Sequence, residues 1–131
     1  MNIEPSKVAM NLVNGCLVAT LQFDLNRHIL DSFREEILQK LQETGARGLL
    51  LDCSALTLMD SEDFEGLKRM TEMAALMGTT TVFVGLSAGI VSSLVELDVD
   101  LDGIHAALTL EDAFDRVKEF ASSKGPVNPK S

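Results

Sequence analysis

The feature that most constrains this 131-residue chain is a repeated change of hydrophobic period. In "GCLVATLQF" (residues 15–23), Leu17, Ala19, Leu21 and Phe23 alternate with Val18, Thr20 and Gln22, the period of a strand with one strongly buried face. A few residues later Ile29, Leu30, Phe33, Ile37, Leu38 and Leu41 recur at helical spacing, with Arg34, Glu35, Glu36, Gln39 and Lys40 on the other side. Gly45 stands where a left-handed residue would end that helix, which is expected over residues 27–44.

The alternation then continues. "GLLLDC" (48–53) is continuous enough in apolar residues to be a strand covered on both faces. A helix is expected over 61–77, with Phe64, Leu67, Met70, Met73, Ala74 and Met77 inward and Gly78 as its stop. A strand at 80–86, a short helix at 88–97, a weak strand at 104–108 and a helix at 110–121 complete the series. Asn14-Gly15 separates two apolar segments and is the preferred pair for a tight hairpin. The pattern predicts one α/β domain over residues 1–121, its mixed sheet opened by a hairpin, parallel in the centre and flanked by about four helices. The last ten residues, 122–131, are polar and rich in Pro and Gly and are expected to form a disordered tail.

Composition narrows the function classes. The net charge of −9, with Lys and Arg scattered, opposes contact with nucleic acid and suits a basic protein partner. The apolar runs are shorter than a membrane span, and the N-terminus has no basic segment followed by an apolar core, so a cytoplasmic location is expected. Cys16 and Cys53 have no C-x-x-C spacing and read as reduced packing residues. His28 has no companion at metal spacing, the carboxylates form no metal motif, and no phosphate-cradling Gly loop is present, so neither metal nor cofactor is expected.

Two serines raise chemistry. "GLSAG" (85–89) fits the nucleophile elbow of a serine hydrolase, with Ser87 as nucleophile and Asp98, Asp100 or Asp102 and then His105 following in chain order. Ser87 and His105 stand too close in sequence, and no Gly-rich oxyanion segment lies upstream, so the chain is read as a non-enzyme. The second is Ser61 in "LTLMDSEDFEGL" (56–67). It stands where a strand gives way to a helix, a favoured N-cap position, with Glu62 and Asp63 complementing the helix dipole. That junction lies on the rim where open α/β sheets present their sites.

"ETGARGLLLDCSALTLMDS", the helix ending "MAALMGTTTVFVGL", and "IVSSLVELDVDLDGIHAALTLEDAFDRV" together resemble the STAS domain family of anti-sigma factor antagonists, within it the RsbS-type stressosome scaffold branch. The likeness spans about residues 12–118. It implies a non-enzymatic domain that binds an RsbT-like kinase, is phosphorylated at the position of Ser61, and joins RsbR-like STAS proteins in a large complex, the chain itself being expected to form a homodimer or higher oligomer. Asp60, Ser61, Glu62 and Asp63 would form the partner-binding surface. A second family phosphorylation position, Thr in RsbR-like members, falls at Ser93. Glu62 and Asp63 depart from the apolar residues that usually follow the phosphoacceptor in this branch. A stand-alone anti-anti-sigma factor is the alternative reading.

Overall fold

The computed structural model describes residues 8–22 and 24–123. Strands β1 (Val8–Val13) and β2 (Cys16–Leu21) form an antiparallel hairpin with Val13 opposite Cys16. Asn14 (φ 53°) and Gly15 (φ 79°) both occupy the left-handed region, as the two-residue turn suited to strand twist requires. Helix α1 (Arg27–Thr44) begins at Asn26, whose Oδ1 accepts the Ile29 N–H at 2.9 Å. It ends at Gly45, whose N–H returns to the Leu41 carbonyl. There follow β3 (Gly48–Asp52), α2 (Ser61–Leu76), β4 (Thr80–Val84), α3 (Ala88–Glu96), β5 (Ala106–Ala107) and α4 (Leu110–Ser123).

The five strands lie side by side in chain order, with β2 to β5 mutually parallel. Successive right-handed crossovers in one direction place their helices on one face of the sheet. There Leu49, Leu51 and Phe83 pack with Phe33 and Ile37 of α1, Phe64 and Leu67 of α2, and Ile90 and Leu94 of α3. Leu50, Val82 and Val84 point to the other face, where α4 covers them with Ala113 and Val117. Leu49, Leu50 and Leu51 are 0 % exposed, which explains the unbroken apolar run of β3. Helix α2 leans on the sheet through Phe64 and Phe83, whose ring centroids are 5.8 Å apart.

Some expectations shift. Met73 and Met77 are each 43 % exposed rather than buried, because Phe64, Leu67, Met70 and Ala74 already fill the core-facing sector of α2. Gly78 does end that helix. Its φ is 85°, its N–H donates to the Ala75 carbonyl and the Thr79 N–H donates to that of Ala74, the paired closure of a left-handed stop. The weak strand shrinks to two residues, since the turn that closes from Ile104 N–H to the Leu101 carbonyl delays entry into the sheet. Helix α4 runs two residues further than expected, and Phe23 and residues 124–131 of the expected tail lie outside the described residues.

Gly48 shows how closely the layers approach. A Cβ there would lie 2.8 Å from Cys16 Sγ and 2.9 Å from both γ-carbons of Val117, so α4 sits against β2 and β3 only because position 48 lacks a side chain. Gly48→Ala is expected to destabilise the domain by about 1–3 kcal/mol in urea unfolding, the range for overpacking a filled core.

Candidate functional site

The segment between β3 and α2 is held before it reaches Ser61. The Cys53 N–H donates to the Val84 carbonyl at 2.8 Å, and Asp52 Oδ1 accepts from the Ser54 N–H and hydroxyl at 3.1 and 2.7 Å. Leu56 and Met59 are buried. Asp24 reaches across from the segment after β2 and accepts the Thr57 N–H at 2.9 Å, the Thr57 hydroxyl at 2.8 Å and the Leu58 N–H at 3.4 Å. These donors, the Thr57 N–H first, hold the Asp24 carboxyl below its usual range.

The cap of α2 is Asp60, not Ser61. Asp60 has extended backbone (φ −88°, ψ 176°), and its Oδ1 accepts the Asp63 N–H at 2.7 Å. Its carboxylate is a charged acceptor one residue earlier than the serine, so it takes the capping bond. Ser61 becomes the first helical residue. It is half-buried, and its hydroxyl has no hydrogen-bond partner among the described residues.

The four residues expected to form one surface divide. Asp60 and Glu62 are exposed and flank Ser61, and Glu62 pairs with Arg27 at the start of α1. Asp63 is only 6 % exposed, because its helix face turns toward α1, where it lines a groove with Arg27, Arg34 and Arg69. Desolvation, reinforced by the Asp60 charge, pushes its carboxyl above the usual range. The folded state therefore binds that proton more readily than the unfolded chain. Stability falls as pH rises from the unfolded pKa through the raised one. Asp63→Asn is expected to gain stability over the native chain at about pH 7 and to lose that advantage near pH 3, measured by urea unfolding at both. Asp60→Ala is expected to cost about 0.5–2 kcal/mol in the same measurement.

On the other side of Asp60 lies a shallow groove of about 220 Å³ between the β3–α2 segment and α3. Leu58 and Leu97 border it while remaining 59 % and 51 % exposed, and Ser93 lies between them on α3. The fold thus brings Ser93 to the same rim as Asp60. Ser87 has a different use: it caps α3, its Oγ accepting the Ile90 N–H at 3.1 Å. His105 precedes Ala106, which pairs with Phe83, so it stands well back along the sheet from Ser87, and its ring packs on Phe120 at 4.3 Å. Asp100 is engaged by Lys68, whose Nζ lies 3.3 Å from its carboxylate, and Asp98 closes α3 in the left-handed region at φ 61°. Ser87 is thus engaged as a helix cap and His105 in a ring contact.

His28 is exposed at the start of α1, and Cys16 and Cys53 are free and buried. Burial raises both thiols, Cys53 to about 12. Among the described residues no group of His, Cys, Asp and Glu is placed to hold a metal ion, and no helix is long and apolar enough to cross a membrane. Sequence reasoning missed Asp24 and the Leu58–Leu97 pair. Asp24 leaves no local signal, since Thr57 lies 33 residues away. Leu58 and Leu97 were legible as apolar residues that fit neither a core strand nor a helix stripe.

A family model described as STAS domain matches residues 7–113. Among solved structures, a serine-to-glutamate variant of RsbS from Moorella thermoacetica is 28% identical with a TM-score of 0.76, covering 89% of this chain and 99% of that one. A chain of the stressosome, described as a signal integration and transduction hub, is 26% identical with a TM-score of 0.70, over 86% of this chain and 98% of that one. The anti-sigma factor antagonist SpoIIAA in its unphosphorylated form shares the fold at 23% identity and a TM-score of 0.64, over 92% of this chain and 99% of its own. No curated protein matches the chain.

Proposed function

We propose, given that the chain belongs to the STAS domain family, that it is a non-enzymatic phosphoswitch of the stressosome scaffold type, holding an RsbT-like serine/threonine kinase until Ser61 is phosphorylated. The observation that carries this reading is the capping of α2 by Asp60, which leaves Ser61 half-exposed on the carboxyl-end rim of the sheet, its hydroxyl without a hydrogen-bond partner among the described residues. A serine consumed as the cap would have to surrender a structural bond to be modified. Here the acceptor role belongs to its neighbour.

The surroundings suit a protein partner. Leu58 and Leu97 offer apolar contact beside Asp60 and Glu62, the arrangement of an apolar patch with a polar rim. A phosphate on Ser61 would add roughly −1.5 to −2 charges between those two carboxylates. The helix N-terminus favours that charge, whereas a partner matched to the unmodified surface must desolvate it. Release therefore needs a change of surface and no change of fold. Ser93, on the same rim, is the secondary acceptor of this reading. Assembly with RsbR-like STAS proteins, from a homodimer or higher oligomer of this chain, and a cytoplasmic setting belong to it too.

Incubation with the cognate kinase and ATP, followed by mass-spectrometric mapping, is expected to place phosphate on Ser61. Ser61→Asp is expected to weaken kinase binding at least tenfold, a loss of about 1.4 kcal/mol, while Ser61→Ala binds and fails to release. Phosphate only elsewhere, or unchanged binding by Ser61→Asp, would overturn the reading. Co-elution with an RsbR-like partner at very high mass is expected for a scaffold. Kinase binding without such assembly would instead mark a free anti-sigma factor antagonist.

A further inference from the structure

A second site lies on the opposite flank of α2, at the edge of β4. Strand β5 pairs only with Phe83 and Val84, so on the edge of β4 that faces away from β3 no described strand lies beside Thr80 to Val82. Between that bare edge, α2 and the turn before β5 is a cleft of about 300 Å³, lined among others by Glu72, Ala75, Thr81, Phe83, Gly103 and Ile104. That volume is at the small end of ligand pockets.

Two independent features mark it, both at the lining residue Thr81. Thr81 is 7 % exposed, and its Oγ1 is buried without a hydrogen-bond partner, the one such side-chain atom found among the described residues. A buried hydroxyl left unpaired is costly, and native structures rarely leave one without a use. The backbone supplies the second feature. Phe83 and Gly85 send their N–H groups from this edge to the carbonyls of His105 and Ala107. The strand period of two then turns the Thr81 N–H and C=O toward the same edge, where no described strand receives them.

We infer that this cleft binds a small uncharged molecule carrying an amide-like N–H and C=O pair on an apolar body. The pair would hydrogen-bond to the β4 edge as a neighbouring strand does, and a change of Thr81 rotamer would bring its buried hydroxyl in as a third contact. Phe83, Ile104 and Ala75 supply apolar walls. Glu72 is the lining residue with a fixed charge, and its sign disfavours an anion. The site does not depend on the phosphoswitch reading, since neither Ser61 nor Ser93 contributes to it.

The probe is 2-pyridone, which carries the adjacent N–H and C=O, with 2-methoxypyridine, which lacks the N–H, as its control. Titrated into the full ¹⁵N-labelled chain at millimolar concentrations, 2-pyridone is expected to shift the amide signals of Thr81, Gly103 and Ile104, and the control is not. Thr81→Val keeps the side-chain shape, removes a hydroxyl that has no hydrogen-bond partner among the described residues, and is expected to retain the fold while weakening 2-pyridone roughly tenfold. Absence of shifts at these residues, equal response to both compounds, or unchanged affinity in Thr81→Val would overturn the inference.

Discussion

Everything else in the domain depends on covering β3 from both sides. Leu49 and Leu51 face the α1–α2–α3 layer, Leu50 faces α4, and none of the three is exposed. Fully burying three leucines is worth roughly 5–9 kcal/mol before entropy is counted, comparable with the whole net stability of a domain. Because the strand is central, its carboxyl end can emerge only on the rim between the layers. The β3–α2 segment and Ser61 are placed by that requirement.

Legibility in the sequence followed the range of the interactions. Periodicity and local stereochemistry are short-range, so the hairpin at Asn14-Gly15, the stops at Gly45 and Gly78, and the order of strands and helices could be read directly. The cap was read one residue late because Asp60 and Ser61 are both good caps. Only the extended backbone of Asp60 and its bond to the Asp63 N–H decide between them. The burial of Asp63 was hidden for a related reason: an acidic residue in a first helical turn reads as solvated, and here α1 crosses that face. Met73 and Met77 failed in the opposite sense, as apolar residues at the margin of a stripe whose centre was already filled.

The acidic character around Ser61 is accordingly smaller than the sequence implies. Asp60 is spent on the cap, Glu62 is paired with Arg27, and Asp63 is turned inward. The acidic cluster is thus divided among local tasks and does not form one uniform negative patch. The site keeps an apolar contribution from Leu58 and Leu97, which come from two separate segments and meet only in the fold.

The bridge from Asp24 to Thr57 and Leu58 has a consequence for association. It joins two connecting segments 33 residues apart in sequence with three hydrogen bonds to one carboxylate, beside the rim a partner would meet. The conformational freedom of that backbone is surrendered once, when the domain folds. A partner docking on Leu58 need not order the loop again, so more of its contact energy remains as affinity, and encounter can proceed without a slow rearrangement of the surface.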